Sequence, residues 1–200
     1  HLTTLGIGGE AEVLFTPADV HDLATFWQYR PSNMPITLLG EGSNVLIRDG
    51  GIPGVTIRIG SGCDKVSISG NSLYCEAGAS TGKVDEKGKL HRKPPEFFNF
   101  SYRNSCLPEN WIFAATHLAL EPTQKQDIRA HMQEINKKRR TSQPLKWPNA
   151  GSWFKNPQGQ KAWQLIDKAG CRGLRRGDAQ VSQKHSNFFI NLGEATAAEM

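Results

Sequence analysis

Three short stretches hold residue types at spacings that could do chemistry. In Leu39-Gly40-Glu41-Gly42-Ser43-Asn44-Val45-Leu46, the apolar run from Ile36 to Leu39 enters a glycine-spaced turn and leaves it in a second apolar run. Two glycines let the backbone take positive φ and approach a ligand closely, so that successive N–H groups converge on a phosphate without help from a lysine. No GK[ST] follows, so the turn is not a P-loop. No G-x-G-x-x-G opens a helix, so it is not a Rossmann fingerprint. By turn chemistry alone, a plain connection between strands is the commoner use of such residues. Ser152, in Asn149-Ala150-Gly151-Ser152-Trp153-Phe154-Lys155-Asn156-Pro157, follows a glycine as turn and capping serines do. It has no G-x-S-x-G elbow and no obvious base, which disfavours a serine hydrolase. Arg103, in Tyr102-Arg103-Asn104-Ser105, reads by itself as an exposed arginine at a strand end.

Other reactive residue types carry less. Cys63, Cys75, Cys106 and Cys171 are scattered, with neither a CxxC nor a histidine at metal-ligand spacing, so they read as reduced thiols and no metal is expected. His185 stands alone before an apolar run and reads as structural. The formal charge of +5 is concentrated in Lys137-Lys138-Arg139-Arg140 and in Arg172 to Arg176, without interleaved aromatics. That pattern suits a diphosphate ligand as well as a nucleic acid. The 200 residues, 38% of them hydrophobic, suffice for a core in one or two domains. No run reaches the ~18 apolar residues that span a bilayer, and no leader opens the chain, so no membrane partner and a cytoplasmic location are expected.

The elements that must position these residues make an α+β chain. Thr16, Pro17 and Asp19 open a helix whose Val20, Leu23, Ala24 and Trp27 share one face. Val66 to Ser69 and Leu73 to Cys75 flank Gly70-Asn71 as a hairpin, and Trp111 to Leu120 reads as one long strand. A second helix begins near Thr123, packs Ile128, Met132 and Ile135 as a stripe, and ends in the basic run before Pro144. Ala162, Leu165, Ile166 and Ala169 make a short helix stopped by Gly170, and Phe188 to Ile190 is a buried strand. Thr196-Ala197-Ala198-Glu199 is a capping box, so a helix is expected to start there and continue beyond Met200.

Read in order, Thr3 to Pro17, Leu38 to Ile57, Phe100 to Ser105, Asn149 to Pro157 and Leu165 to Glu199 resemble the UDP-N-acetylenolpyruvoylglucosamine reductases. These are flavoproteins of bacterial cell-wall synthesis. The resemblance implies FAD as cofactor and NADPH as co-substrate. It implies an FAD-binding domain in two parts, of the vanillyl-alcohol-oxidase type, over residues 1–143 (about 1–62 and 63–143), and a smaller α+β substrate-binding domain over 144–200. The backbone of Gly40, Glu41, Gly42, Ser43, Asn44 and Val45 would carry the FAD pyrophosphate. Ser152 would protonate the carbon next to the substrate carboxylate after hydride arrives, and Arg103 would stabilise the charge developing on that carboxylate. Tyr102, Arg140, Lys155 and Asn156 fall on the substrate side, Arg140 toward the diphosphate, with Lys155 and Asn156 shaping the serine loop.

The resemblance also implies a catalytic glutamate beyond Met200, and a glycine-rich family segment without counterpart near Gly82-Lys83-Val84. The partner expected is a UDP-sugar, bound by a monomer that takes no nucleic acid. The alternatives are another FAD-dependent oxidoreductase of the same fold, which the serine block argues against, and a basic nucleic-acid-binding module.

Overall fold

The computed structural model describes residues 2–60, 62–78, 91–108 and 111–200. Residues 82–84, where the resemblance puts the absent segment, lie outside the described residues. Among the described residues helices alternate with three separate sheets, and the chain divides into two compact units: Ala11–Glu41 with Pro53–Pro122, and His1–Glu10 with Gly42–Ile52 and Thr123–Met200.

The first of these units holds β1 (Ala11–Phe15), α1 (Val20–Tyr29), β2 (Ile36–Leu39) and most of β3 (Ile52–Arg58). Strand β3 lies between β1 and β2 and runs parallel to β2. Helix α1 buries Val20, Leu23 and Trp27 against Val55, Ile57, Ile59, Ile112 and Ala114, with Ala24 packed at the edge. The expected face is therefore the core face, but the cap is Asp19 rather than Thr16. Asp19 Oδ1 accepts Asp22 N at 2.8 Å, while Asp22 Oδ2 accepts Ala18 N at 2.9 Å. One first-turn donor, Asp22 N, and the N–H just before the cap, Ala18 N, are thus satisfied reciprocally, three residues later in sequence than the Thr16-Pro17 signal suggests.

Strands β4 (Val66–Ser69), β5 (Ser72–Glu76) and β6 (Ala115–Ala119) form an antiparallel sheet in that order, with the expected hairpin at Gly70 and Asn71. The long strand expected from Trp111 is shorter than that. Ile112 and Ala114 are buried in the core, whereas Trp111 stacks on His91 and Phe97 and Phe113 packs against Phe98 and Phe100. Alternation thus persists upstream of the ladder, because burial on two faces needs no strand partner.

The other unit holds α2 (Lys125–Ser142), β7 (Asn149–Ser152), α3 (Ala162–Lys168), β8 (Arg175–Arg176), β9 (Ala179–Val181) and β10 (Phe188–Asn191). Its sheet runs β7-β10-β9-β8, antiparallel throughout. Leu5 and Ile7 pack with Ala179 and Ala195 in its core, and Asn191 Nδ2 donates to Leu5 O at 3.2 Å. The periodicity of α2 is as expected, but its stripe is not packed: Ile128, Met132 and Ile135 are 48%, 58% and 45% exposed. Helical spacing says which face is apolar, not that the face is covered.

The Thr196 capping box forms, with Thr196 N donating to Glu199 Oε2 at 3.0 Å and Glu199 N to Thr196 Oγ1 at 3.2 Å. Asp49 takes the next two donors, Ala197 N and Ala198 N, at 2.8 and 3.0 Å.

Asp19→Ala is expected to lower the urea midpoint of the protein, and Thr16→Ala to leave it in place. Equal effects would mean that the cap assignment is wrong.

Candidate active site

Ser152 ends β7, and the pairing of β7 with β10 decides which way its hydroxyl faces. Phe188 opposes Ser152 while Ile190 opposes Asn149, so two steps along β10 match three along β7. Gly151 sits at this extra residue with φ +75°, a bulge built on a left-handed glycine. Directly opposed residues of an antiparallel pair share a face. Ser152 therefore shares the face of Phe188 and of Ile190.

The backbone around the serine is pinned. Gly151 N donates to Asn149 Oδ1 at 3.0 Å, and Trp153 N to Asn187 O at 2.9 Å. Asn187, 4% exposed, accepts Phe154 N on Oδ1 and donates from Nδ2 to Phe154 O, both at 2.9 Å. Asn156 Oδ1 accepts Ala162 N at 3.0 Å, opening α3 where the side chain of Lys161 makes no cap bond. Lys155 is exposed.

Ile190 also lines a cleft of about 380 Å³ at the end of α2, together with Arg140, Gln143, Lys146, Trp147 and Lys184. Arg140 stands in the last turn of α2, where its charge complements the helix dipole, and Lys184 Nζ donates to Arg140 O at 2.5 Å. Three cations around one concavity concentrate positive potential there. Sequence reading singled out Arg140 but missed Lys146 and Lys184, which reach the cleft only through the fold. It also missed Asn187, although the residue lies inside a quoted block, because a clamp of side chain on backbone leaves no periodic signal.

The glycine-spaced turn is less symmetric than expected. Of its two glycines only Gly42 takes positive φ, +64°, and a Cβ there would lie 2.2 Å from Leu2 O. Thr4 N donates to Gly42 O at 3.0 Å, which ties the turn to the segment beneath. Gly40 has no need of glycine from the protein's side, since a Cβ built on it meets nothing within 4 Å. The second apolar run is not a strand, because the chain from 45 to 51 stays irregular up to β3.

In the other unit, Tyr102 and Arg103 form the apex of a tight turn rather than a strand end. Ser101 and Asn104 exchange backbone hydrogen bonds at 3.0 Å each way, and Arg103 takes φ +53°. Such a position is normally left to glycine. An arginine kept there is backbone strain held in place by its surroundings.

His185 packs against the rings of Phe188 and Trp163, at 4.9 and 6.5 Å between centroids, and its Nδ1 accepts Asn187 N at 3.2 Å. Burial pushes its pKa below the ordinary 6.5, and the Arg172 guanidinium acts in the same direction. The imidazole is neutral and structural, and it supports Asn187.

Comparison with known proteins extends these observations. A model of the UDP-N-acetylenolpyruvoylglucosamine reductase C-terminal domain matches residues 143–200. A UDP-N-acetylenolpyruvoylglucosamine reductase of Paramagnetospirillum magneticum is 38% identical over 245 aligned positions, covering 99% of this chain and 80% of that protein. One from Rhodospirillum rubrum is 38% identical over 251 positions, covering 100% and 79%. The crystal structure of the corresponding reductase from Thermus caldophilus matches with a TM-score of 0.84 at 32% identity, over 99% of this chain and 88% of that one.

Matches of this extent make the chain an oxidoreductase of mixed α and β architecture. It belongs to the UDP-N-acetylenolpyruvoylglucosamine reductase family. Both alignments run longer than the 200 residues here, so these relatives carry stretches without counterpart in this chain. Among the described residues no helix is long and apolar enough to cross a membrane.

The neutral His185 carries a pH dependence. Because the folded state lowers its pKa, the unfolded chain takes up the proton first, so this contribution is complete above pH 6.5 and is lost as pH falls. Melting temperature followed from about pH 8 to pH 5 should decline, and His185→Gln should flatten that decline. An unchanged slope in the variant would leave His185 without this role.

Proposed function

We propose that this protein reduces UDP-N-acetylglucosamine enolpyruvate to UDP-N-acetylmuramate with NADPH, as a cytoplasmic monomer supplying a peptidoglycan precursor. The observation that carries the reading is the joint placement of a pinned serine and a three-cation cleft on one face of one sheet, in a chain whose relatives bear that enzyme's name. The cleft of Arg140, Lys146 and Lys184 suits the diphosphate of a UDP-sugar. A nucleic acid would need a longer stripe of charge.

The turn of Gly40 to Val45 fits an FAD pyrophosphate. Its backbone can approach an anion at Gly40, where the side-chain space is empty, and Gly42 reverses the chain at a left-handed φ. In this reading residues 1–143 form the two-part flavin domain of the vanillyl-alcohol-oxidase type and 144–200 the substrate domain. When bound, FAD supplies the hydride chemistry between NADPH and the enolpyruvyl double bond. The chain's own part is to seat the substrate and handle charge and proton. Arg140 and its cationic neighbours hold the diphosphate, Tyr102 and the segment of Lys155 and Asn156 border the sugar, and the Arg103 guanidinium offers paired donors to the carboxylate as negative charge grows there. The Ser152 hydroxyl delivers the proton to the adjoining carbon.

Gly40→Ala tests the cradle more cleanly than any change at Gly42. The protein itself leaves room for the added methyl, so folding should be unchanged while the flavin content of the purified enzyme drops. Full flavin content would move the pyrophosphate elsewhere.

Ser152→Ala and Arg103→Ala should each leave reduction of the flavin by NADPH near normal. Both should slow its reoxidation by the enolpyruvyl sugar by orders of magnitude, and Ser152→Cys should keep part of the rate. Stopped-flow traces in which Ser152→Ala reoxidises like the wild type would remove the serine from the mechanism.

A further inference from the structure

A residue of the glycine-spaced turn reaches the backbone carbonyl of Ala150, inside the bulge that sets Ser152. Strand β7 carries one residue more than β10 between their paired positions. The side of the Asn44 amide that faces the bulge meets only acceptors, which assigns the nitrogen to it; so assigned, Asn44 donates to Ala150 O at 3.0 Å and to Ser43 O at 3.2 Å. One NH2 group thereby bridges the turn to the residue two before Ser152. The contact is close: a Cβ on Gly151 would come within 2.8 Å of the Asn44 amide and would displace it. The other side of the serine is already held by Asn187, so Ala150 is where the bulge could otherwise relax.

We infer that Asn44 is a positioning residue for Ser152, its side chain setting the bulge while its backbone belongs to the phosphate-binding turn. The aim of the proton donor is thus tied through one residue to the turn that seats the cofactor. This rests on the reading of Ser152 as proton donor given above. Three features of the bonding support it: the donor is neutral, the acceptor is a main-chain carbonyl, and the bond spans more than 100 residues of sequence, so Asn44 has no helical or strand role that would explain it. Asn44→Asp is the informative variant. A carboxylate of the same shape can only accept, and would face the Ala150 carbonyl with like partial charge.

The test uses the full-length flavoprotein with FAD in excess. Asn44→Ala and Asn44→Asp should reduce flavin with NADPH at close to the wild-type rate and reoxidise it with the enolpyruvyl sugar about ten- to a hundred-fold more slowly, the scale of a misplacement near 1 Å. The double variant Asn44→Ala with Ser152→Ala should reoxidise no more slowly than Ser152→Ala alone. In the flavin-free protein, hydrogen exchange at Gly151 and Ser152 should rise several-fold in Asn44→Ala while exchange at Ala179 to Val181 stays unchanged.

Additive slowing in the double variant, or unchanged exchange at the bulge, would overturn the assignment. So would loss of FAD affinity with normal reoxidation in the loaded fraction, which would make Asn44 a cofactor contact only. If Ser152→Ala reoxidises normally, the reading of the serine fails instead, and the exchange measurement still reports whether Asn44 holds the bulge.

Discussion

A carboxamide closed on the main chain is the constraint from which the candidate site takes its shape. Asn187 satisfies both backbone polar groups of Phe154 with one side chain while its own carbonyl accepts Trp153 N. At 4% exposure, water cannot replace those partners. An unpaired buried N–H or C=O costs about 1–3 kcal/mol, so strand β10 and the residues after Ser152 cannot separate without a loss comparable to a sizeable share of a domain's stability. His185 lends its lone pair to Asn187 N, and this works only while the imidazole is neutral. The hydrophobic packing of Phe188 and Trp163 around that ring is thus part of the same device.

With the downstream side clamped, the bulge at Gly151 turns a simple serine strand end into an aimed hydroxyl. Continued regularly from Asn149 opposite Ile190, the ladder would set Gly151 opposite Phe188. The extra residue puts Ser152 opposite Phe188, on the face where the cationic cleft opens. Left-handed φ at Gly151 is what makes the extra residue inexpensive there, since an L side chain would meet both the torsional penalty and the Asn44 amide.

The function proposed above gives this chain two physically different anion sites. Apart from the exposed Glu41, the turn after β2 offers backbone and small polar groups, which would bind an anion through fixed geometry. The cleft at the end of α2 gathers Arg140, Lys146 and Lys184 on flexible stems, which attract strongly but are screened by salt. A preorganised cradle suits a group that stays, and exposed mobile cations suit one that arrives and leaves, in keeping with a resident flavin and an exchanging UDP-sugar.

Much of this was legible in the residues alone. The faces of α1, the β4–β5 hairpin, the stop of α3 at Gly170 and the burial of β10 follow from local periodicity and turn chemistry, and the ordered blocks identified the family. Local rules also set the Thr196 capping box, whose two reciprocal bonds form as spaced. What they left out has a common cause. Asp19 displaced Thr16 as cap, the Trp111 run yielded its first half to an aromatic cluster, and the stripe of α2 stayed exposed, because each depends on what stands opposite rather than on the residue itself. The same holds at the site. Gly40, Gly42 and Ser152 are expected at the site from the resemblance of their blocks, whereas the Gly151 bulge, the Asn187 clamp, the Asn44 bond and the meeting of Lys146 and Lys184 with Arg140 are agreements between segments up to 100 residues or more apart. Sequence determines which groups can donate, accept or turn; only tertiary structure decides which of them meet, since hydrogen bonds act over about 3 Å and spacing along a chain says nothing of that distance once the chain has folded back.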